Sequence, residues 1–162
     1  MNKTLIFGFG NYDREDDGVA WHILKHIANH FDISLPEEPQ EEIPVQSKYC
    51  DFFFMLQLMP EMAEMISEYD RVCFVDAHTG IIDDDIFFGE VKVEFQSSPL
   101  THHFTPSSCM SLCKNLYHKE PEAILTSVRG YSFDFSHGLS EKTSNLALDA
   151  SKRIIDWILL PQ

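Results

Sequence analysis

Positive charge is scarce in this sequence. Twelve Lys and Arg residues stand against twenty-six Asp and Glu residues, which gives a net charge of −14 with His neutral. The resulting field repels phosphate backbones and anionic lipid headgroups, so we do not expect binding to nucleic acid or to a membrane surface. A cation or a basic peptide segment suits this surface better.

Long apolar runs are also missing, and none approaches the roughly 18–20 residues of a membrane span. The first residues are one Lys, a brief apolar run, and then glycines and acids, without the features of a secretory signal. We therefore expect a cytoplasmic protein whose four cysteines are free thiols. The 162 residues are 44% hydrophobic, which is enough for one domain, residues 1–162, with its own core.

Hydrophobic periodicity predicts strands that alternate with helices. Continuous or alternating apolar runs predict strands at 3–9, 45–51, 71–76, 86–95 and 123–128. Apolar residues at spacings of three and four predict helices at 18–31, 56–69, 106–117 and a last helix that Ser140 caps. This alternation is typical of βαβ units, so the sequence predicts an α/β fold with a mainly parallel sheet covered on both faces.

The candidate site lies where such strands end. The first predicted strand runs into Asn11 and a group of acids at positions 13–17, and the strand at 71–75 leads to Asp76. The loop that carries His102 and His103 precedes a helix and is expected at the same edge of the sheet. Two carboxylates and one imidazole would suit a divalent transition ion with open coordination positions, or proton transfer between paired acids.

Four acidic residues lie between positions 13 and 17, and the site needs only one of them as its functional carboxylate. An Asp at a helix start gains about 0.3–1 kcal/mol from the helix dipole and caps free N–H groups, which explains one acid but not its neighbour. We take Asp17 as the functional carboxylate and expect Asp13, Glu15 and Asp16 to be helix-capping or solvated companions. An ordinary turn residue remains an equal alternative for Asp76.

Two other motifs predict function poorly. Gly8 and Gly10 after a strand invite a dinucleotide-binding interpretation, but Asp13 replaces the third glycine and the acidic loop would repel a pyrophosphate, so we reject it. Ser107 and Ser108 near the histidines lack a nucleophile-elbow glycine pattern, so a serine hydrolase is poorly supported.

Two groups of metal-type side chains have simpler explanations. His22, His26 and His30 form one stripe of the first helix, where a polar solvated face is favoured over a metal site. Cys109 and Cys113 are four apart on a predicted helix, but no second pair at zinc-finger spacing accompanies them, so packing in the helix core is favoured.

Three motifs, in this order, resemble those of the hydrogenase maturation proteases, the endopeptidases that trim the large subunit of nickel–iron hydrogenases. They cover most of the chain: Gly8-Phe9-Gly10-Asn11 followed by Asp16-Asp17-Gly18-Val19; Gln57-Leu58-x-Pro60-Glu61 leading to Val72-Cys73-Phe74-Val75-Asp76-Ala77; and Thr101-His102-His103-Phe104-Thr105-Pro106.

The resemblance implies a three-layer α/β/α sandwich of the phosphorylase/hydrolase-like type. It implies a catalytic trio of Asp17, Asp76 and His102 that also contacts metal, with His103 as the alternative register. Asn11 and Gln57, which lie in the first two motifs, are the expected substrate-binding residues.

The same resemblance implies that the partner is a hydrogenase large-subunit precursor already loaded with nickel, whose C-terminal extension is removed. The nickel then belongs to the substrate, and no permanent cofactor is expected. Two alternatives stay open: a non-catalytic nickel- or precursor-binding assembly factor, and an amide or ester hydrolase with a small substrate on the same fold.

Overall fold

The structure, a computed structural model, describes residues 2–40, 44–94 and 104–161. Within these ranges the chain forms five strands, four α-helices and one 3₁₀ turn. In chain order they are β1 (Thr4–Phe9), the 3₁₀ turn (Glu15–Gly18), α1 (Val19–His30), β2 (Asp51–Met55), α2 (Met62–Ile66), β3 (Arg71–His78), β4 (Ile86–Glu90), α3 (Pro106–Tyr117), β5 (Glu122–Arg129) and α4 (Glu141–Leu159).

The strands form one sheet in the order β2-β1-β3-β5-β4. The first four strands in this order are parallel, and β4 pairs antiparallel with β5 at the edge. The predicted mainly parallel sheet is therefore confirmed. After β1 the chain adds β2 on one side and later β3 on the other, so the strand order reverses at β1, and ligands of open α/β sheets bind at such switch points.

Helices cover both faces of the sheet, as the three-layer prediction requires. Helices α1 and α4 pack on one face, over residues such as Ile6, Val75 and Val128, and their own apolar faces complete this core. Helices α2 and α3 pack on the other face, over Phe7 and Phe74. Because the inward side chains of each helix recur every three or four residues, burial of this stripe fixes each helix against the sheet.

The predicted cap of the last helix is confirmed. Ser140 is extended, and its hydroxyl accepts a hydrogen bond from the Thr143 N–H in the first turn of α4. Such a cap is worth about 1 kcal/mol. It also fixes where α4 begins.

Several predicted boundaries are wrong. The second strand is β2, which shares only Asp51 with the strand predicted at 45–51. Val45, at the start of the predicted range, forms an isolated bridge with Phe52. Three consecutive Phe residues of β2 are buried, and a run that is apolar on both faces belongs in the sheet interior. Helix α2 covers only five of the residues predicted at 56–69, and β4 ends at Glu90. Strand β3 continues two residues beyond Asp76, which therefore lies inside the strand.

All four cysteines are free and buried. Cys109 and Cys113 lie in the core under α3, so the core-packing interpretation is confirmed. Burial raises the pKa of the Cys50 and Cys73 thiols to about 12, which keeps them protonated. No helix in the described ranges has the length and apolar character that a bilayer crossing requires.

Candidate functional site

The turn after β1 is a tight loop that folds back on itself. Gly10 has a φ of +146°, and a Cβ atom there would lie 2.2 Å from the backbone oxygen of Asp17. Gly10 donates its N–H to the Met55 carbonyl at the end of β2. Only glycine allows both this backbone conformation and this approach, so the turn brings Asp17 back to the carboxyl end of β1.

Asp17 is held at this edge by the backbone. Its Oδ2 atom accepts a hydrogen bond from the Asn11 N–H at 3.0 Å, and its own N–H donates to the Arg14 carbonyl. The side chain is half-buried. One carboxylate oxygen is therefore fixed by the turn, and the other has no hydrogen bond within the described residues.

Asp76 approaches the same edge from β3. Its Oδ1 atom is inaccessible to solvent and has no hydrogen-bond partner among the described residues, although the residue as a whole is half-buried. Burial raises the pKa of Asp76 to about 7, hydrogen bonding from the Ser127 hydroxyl on β5 acts in the opposite direction, and the negative charge of Asp17 raises it again. Asp17 is therefore close enough to Asp76 to affect its ionisation.

Paired acids of this kind have definite chemistry. Two carboxylates at one sheet edge, one of them with a pKa near neutrality, can bind a cation or accept and return a proton. The unpartnered Asp76 oxygen is costly in isolation, because a buried acceptor without a partner loses its hydration. A ligand that offers a cation or a hydrogen-bond donor would remove this cost.

Of the other predicted site residues, the structure describes Asn11 and Gln57 but not the two histidines. His102 and His103 lie outside the described residues, which resume at Phe104, just before α3. Asn11 contributes its N–H to Asp17, and its side-chain oxygen accepts from the Asp13 N–H. Gln57 is exposed after β2, at the same edge of the sheet, and donates to the Met59 sulfur at 3.4 Å. Within the described ranges no group of three or more His, Cys, Asp or Glu side chains could hold a metal ion.

Several solved structures with this architecture are hydrogenase maturation endopeptidases. The chain superposes on hydrogenase maturating endopeptidase HybD from E. coli with a TM-score of 0.71 and 14% identity, over 96% of this chain and 91% of the other. The [NiFe] hydrogenase maturation protease HycI from Thermococcus kodakarensis gives a TM-score of 0.64 and 18% identity, over 97% and 92%. This chain has the hydrogenase maturation endopeptidase fold.

An uncharacterized protein from Wolinella succinogenes also shares the maturation endopeptidase fold, with a TM-score of 0.61 and 22% identity over 97% of this chain and 96% of that one. No protein-family model matches the chain, and no curated protein matches it in sequence. The similarity to these proteins therefore rests on three-dimensional structure.

Asp16 has a structural role that the sequence did not predict. It is completely buried and accepts hydrogen bonds from the N–H groups of Tyr131, Ser132 and Ser140 and from the Ser140 hydroxyl, at 2.7–3.0 Å. The Thr143 hydroxyl lies 2.9 Å from the same carboxylate. The expectation of a helix-capping or solvated residue at the start of α1 is wrong, because Asp16 instead joins the turn to the start of α4.

The segment before Asp16 is tied to the same region. We call residues 130–139, between β5 and α4, the clamp loop. It holds the acidic segment through the following contacts: Arg14 Nε to the Phe133 carbonyl (3.2 Å), Ser132 Oγ and the Asp134 N–H to the Glu15 carboxylate (3.0 and 3.1 Å), and His137 Nε2 to the Asp13 carboxylate (2.7 Å). Sequence reasoning missed the clamp loop because it has no periodicity, and only contacts distant in sequence reveal its purpose.

The histidine stripe of α1 is only partly solvated. His30 is exposed, whereas His22 and His26 are half-buried. His22 lies against the Tyr12 ring, with centroids 5.8 Å apart, and Tyr12 stacks on His137 of the clamp loop. Burial first, and then the neighbouring charge of His26, lower the pKa of His22. His22 thus packs α1 against the turn, and the three histidines form no metal site with other described residues.

A cavity of about 210 Å³ lies beside the turn. It is lined by residues of the turn, of the segment at 38–39 and of β2 and its end: Gly10, Asn11, Tyr12, Asp13, Glu38, Pro39, Phe54 and Leu56. Leu56 is 56% exposed. The cavity therefore offers mixed polar and apolar walls directly beside Asn11, the residue that positions Asp17.

Proposed function

We propose that this protein is an endopeptidase that removes the C-terminal extension of a nickel-loaded hydrogenase large-subunit precursor. The observation that carries the proposal is the convergence of Asp17 and Asp76, from two separate motifs, at the switch point of a maturation endopeptidase fold. A shared fold alone does not specify an activity, so the proposed chemistry rests on the paired acids.

The proposed roles follow from the two environments. Asp17 and Asp76 contact the nickel that the precursor carries and position the attacking water. The pKa of Asp76 lies near neutral pH, which suits a group that takes a proton from water as it adds to the scissile carbonyl carbon. The C–N bond then breaks and the proton passes to the leaving amine. His102 or His103 is the proposed third member, as a nickel ligand or proton carrier.

The nickel is the substrate's cargo in this account, and the protein needs no permanent cofactor. Two carboxylates without a closed cage suit brief contact with a metal held elsewhere. Asn11 and Gln57 are the proposed contacts to the precursor chain. Processing of this kind belongs in the cytoplasm, which also suits the four free thiols.

The test is incubation of the full chain with purified precursor, either nickel-loaded or nickel-free, followed by mass spectrometry of the large subunit. We expect a mass decrease equal to the C-terminal extension only for the nickel-loaded precursor. An unchanged mass with retained binding would indicate the non-catalytic assembly factor instead. Turnover of small amide or ester substrates in the absence of precursor would indicate the small-substrate hydrolase.

A further inference from the structure

Arg129 ends β5 at the same edge of the sheet as the paired acids. Its register partner on β3 is His78, two residues beyond Asp76, and Asp76 pairs with Ser127. Alternate residues of a strand face the same side, so Ser127 and Arg129 share a face and their Cα atoms are about 6–7 Å apart along the strand. The guanidinium group of Arg129 is thus within one side-chain length of the site.

This guanidinium group is unpaired. Within the described part of the chain it has neither a hydrogen-bond acceptor nor a carboxylate at ion-pair distance, and its Nε atom is inaccessible to solvent. Arg14 and Arg153 also lack an ion pair in the described part of the chain, but among the arginines there only Arg129 has a buried side-chain nitrogen without an acceptor. A buried N–H group without an acceptor is unfavourable, and an incoming acceptor would relieve the cost.

The neighbours of Arg129 hold the group in place without neutralising it. The guanidinium carbon lies 4.9 Å from the centre of the Tyr131 ring, and the Lys142 ammonium lies 5.0 Å from the same ring. On another side is Gly80, where a Cβ atom would approach the guanidinium to 3.1 Å. Gly80 has a φ of +102°, which favours glycine, so its missing side chain makes room for the arginine.

The loop that carries Gly80 is itself fixed. His78 Nδ1 accepts the Gly80 N–H at 3.1 Å, and His78 Nε2 lies 2.9 Å from the Asp84 carbonyl. Asp85 lies at the end of this loop. Its carboxylate accepts a hydrogen bond from the Tyr131 hydroxyl at 3.3 Å and does not pair with Arg129. The cationic group is therefore pre-arranged and still available to a ligand.

We propose that Arg129 is a binding residue for a carboxylate of the precursor's C-terminal extension. This rests on the proposed function, and it adds a second subsite to the paired acids. The planar guanidinium matches a carboxylate through two parallel hydrogen bonds, a geometry that an ammonium group cannot provide. The carboxylate is supplied either by the chain terminus or by an acidic side chain of the extension.

The experiment measures binding of the nickel-loaded precursor to the wild-type protein and to Arg129→Gln, Arg129→Lys and Arg153→Gln. Arg153 is an exposed residue of α4, so its substitution removes the same charge away from the site. The precursor is used in three forms: unaltered, with its terminal carboxylate amidated, and with the acidic side chains of its extension changed to amides.

We expect Arg129→Gln to weaken binding of the unaltered precursor about ten-fold or more, as for loss of a charged hydrogen bond. Arg129→Lys should recover part of this loss, and Arg153→Gln should stay within about two-fold of wild type. One of the two altered precursors lacks the recognised carboxylate, and the wild-type protein should bind that precursor as weakly as Arg129→Gln binds the unaltered one. Arg129→Gln should bind that altered precursor no more weakly than it binds the unaltered one. The altered precursor that the wild-type protein binds weakly therefore shows whether the carboxylate comes from the chain terminus or from an acidic side chain.

The inference would be overturned if Arg129→Gln bound the precursor with wild-type affinity, or if Arg129→Gln lost the same affinity, relative to the wild-type protein, for all three precursors. It would also be overturned if the wild-type protein did not bind the precursor. If Arg129→Gln fails to fold, the NMR signal of the Arg129 Nε–H decides: it should shift when a peptide of the extension with intact carboxylates is added, and an unmoved signal contradicts the proposal. Binding without cleavage by the wild-type protein would remove the peptidase activity and leave the role of Arg129 standing.

Discussion

At the scale of single residues, the proposed activity depends on two aspartates, Asp17 and Asp76, and the charge of the first affects the ionisation of the second. Replacing Asp17 with Asn removes a negative charge near Asp76, while the amide oxygen can still accept the Asn11 N–H. We therefore expect the pKa of Asp76 to fall below its wild-type value of about 7 in Asp17→Asn. An NMR titration of the Asp76 side-chain carboxyl carbon in the precursor-free protein measures this change.

The exposed Asp83 supplies the matched control. Asp83→Asn removes the same charge from a loop at the same edge of the sheet, and it should leave the Asp76 titration where it is. An Asp76 pKa that is identical in the wild-type protein and in Asp17→Asn would contradict the pairing.

The pKa of Asp76 also has a consequence for stability. Between its ordinary value of about 4 and its folded value of about 7, the folded protein binds more protons than the unfolded chain, so stability decreases as pH rises through this window. For Asp76→Asn we expect the free energy of unfolding at pH 8 to rise by about 1–2 kcal/mol, less than the full linkage because solvent reaches part of the residue.

Urea unfolding at pH 8 and pH 4 measures this effect. The gain should be present at pH 8 and largely absent at pH 4, where the wild-type carboxyl group is already neutral. A gain of equal size at both pH values would mean that packing, rather than charge, is responsible.

Asp16 is expected to behave in the opposite way. Burial works against its ionisation, but hydrogen bonds from Ser140, Tyr131 and Ser132 outweigh burial and keep its pKa below the ordinary value. Its contribution to stability is therefore complete above about pH 4 and is lost as pH falls through the folded pKa. Asp16→Asn should cost about 2–4 kcal/mol at pH 7, because an amide nitrogen would face buried donors.

Chemical denaturation at pH 7 tests this loss, with Asp13→Asn as the comparison. Asp13 pairs with His137 at the exposed surface, where an ion pair contributes at most about 1 kcal/mol. Equal costs for Asp16→Asn and Asp13→Asn would refute the assignment of Asp16 as the residue that joins the turn to α4.

At the scale of elements, the turn after β1 determines where Asp17 lies. Gly10→Ala places a Cβ atom against the Asp17 backbone oxygen in a conformation that favours glycine. We expect a loss of about 1–3 kcal/mol in the free energy of unfolding and a strong decrease in precursor processing. Gly138→Ala is the control, because a Cβ atom at Gly138 would meet nothing within 4 Å. Full processing by Gly10→Ala would show that the turn geometry is unimportant.

The elements that sequence could predict are those with a clear hydrophobic period. Helix α1 is predictable because its apolar residues recur at spacings of three and four, and β1, β3 and β5 are predictable because each contains a short apolar run. A continuous apolar run gives no period from which to set its ends, and the predicted second strand at 45–51 therefore misses the three Phe residues of β2.

The candidate site was predictable only in part. Glycines, a strand end and adjacent acids indicated Asp17, and the end of an apolar run indicated Asp76. That Asp16 is a structural residue could not be predicted, because the groups that hold its carboxylate, in the clamp loop and at Ser140, are more than a hundred residues away in sequence. Arg129 was not predicted for the same reason: which groups surround its guanidinium depends on the folded structure and cannot be determined from the sequence.

At the scale of the whole molecule, charge and topology favour the same edge of the sheet. The strand order reverses at β1, which places the loops after β1 and β3 side by side. The chain carries a net charge of −14, and this surrounding field favours a cationic cargo at the two aspartates. In this setting Arg129, with Lys142 on the same aromatic ring, is a local exception suited to an anionic group.

The proposed peptidase activity is tested most directly by the mass of a nickel-loaded large-subunit precursor after incubation with the wild-type protein, Asp17→Asn or Asp76→Asn. We expect the wild-type protein to remove the C-terminal extension, and we expect each variant to fold but to lower the processing rate by about 10²-fold or more, because a group that acts in proton transfer is lost. Normal processing by either variant would contradict the proposal.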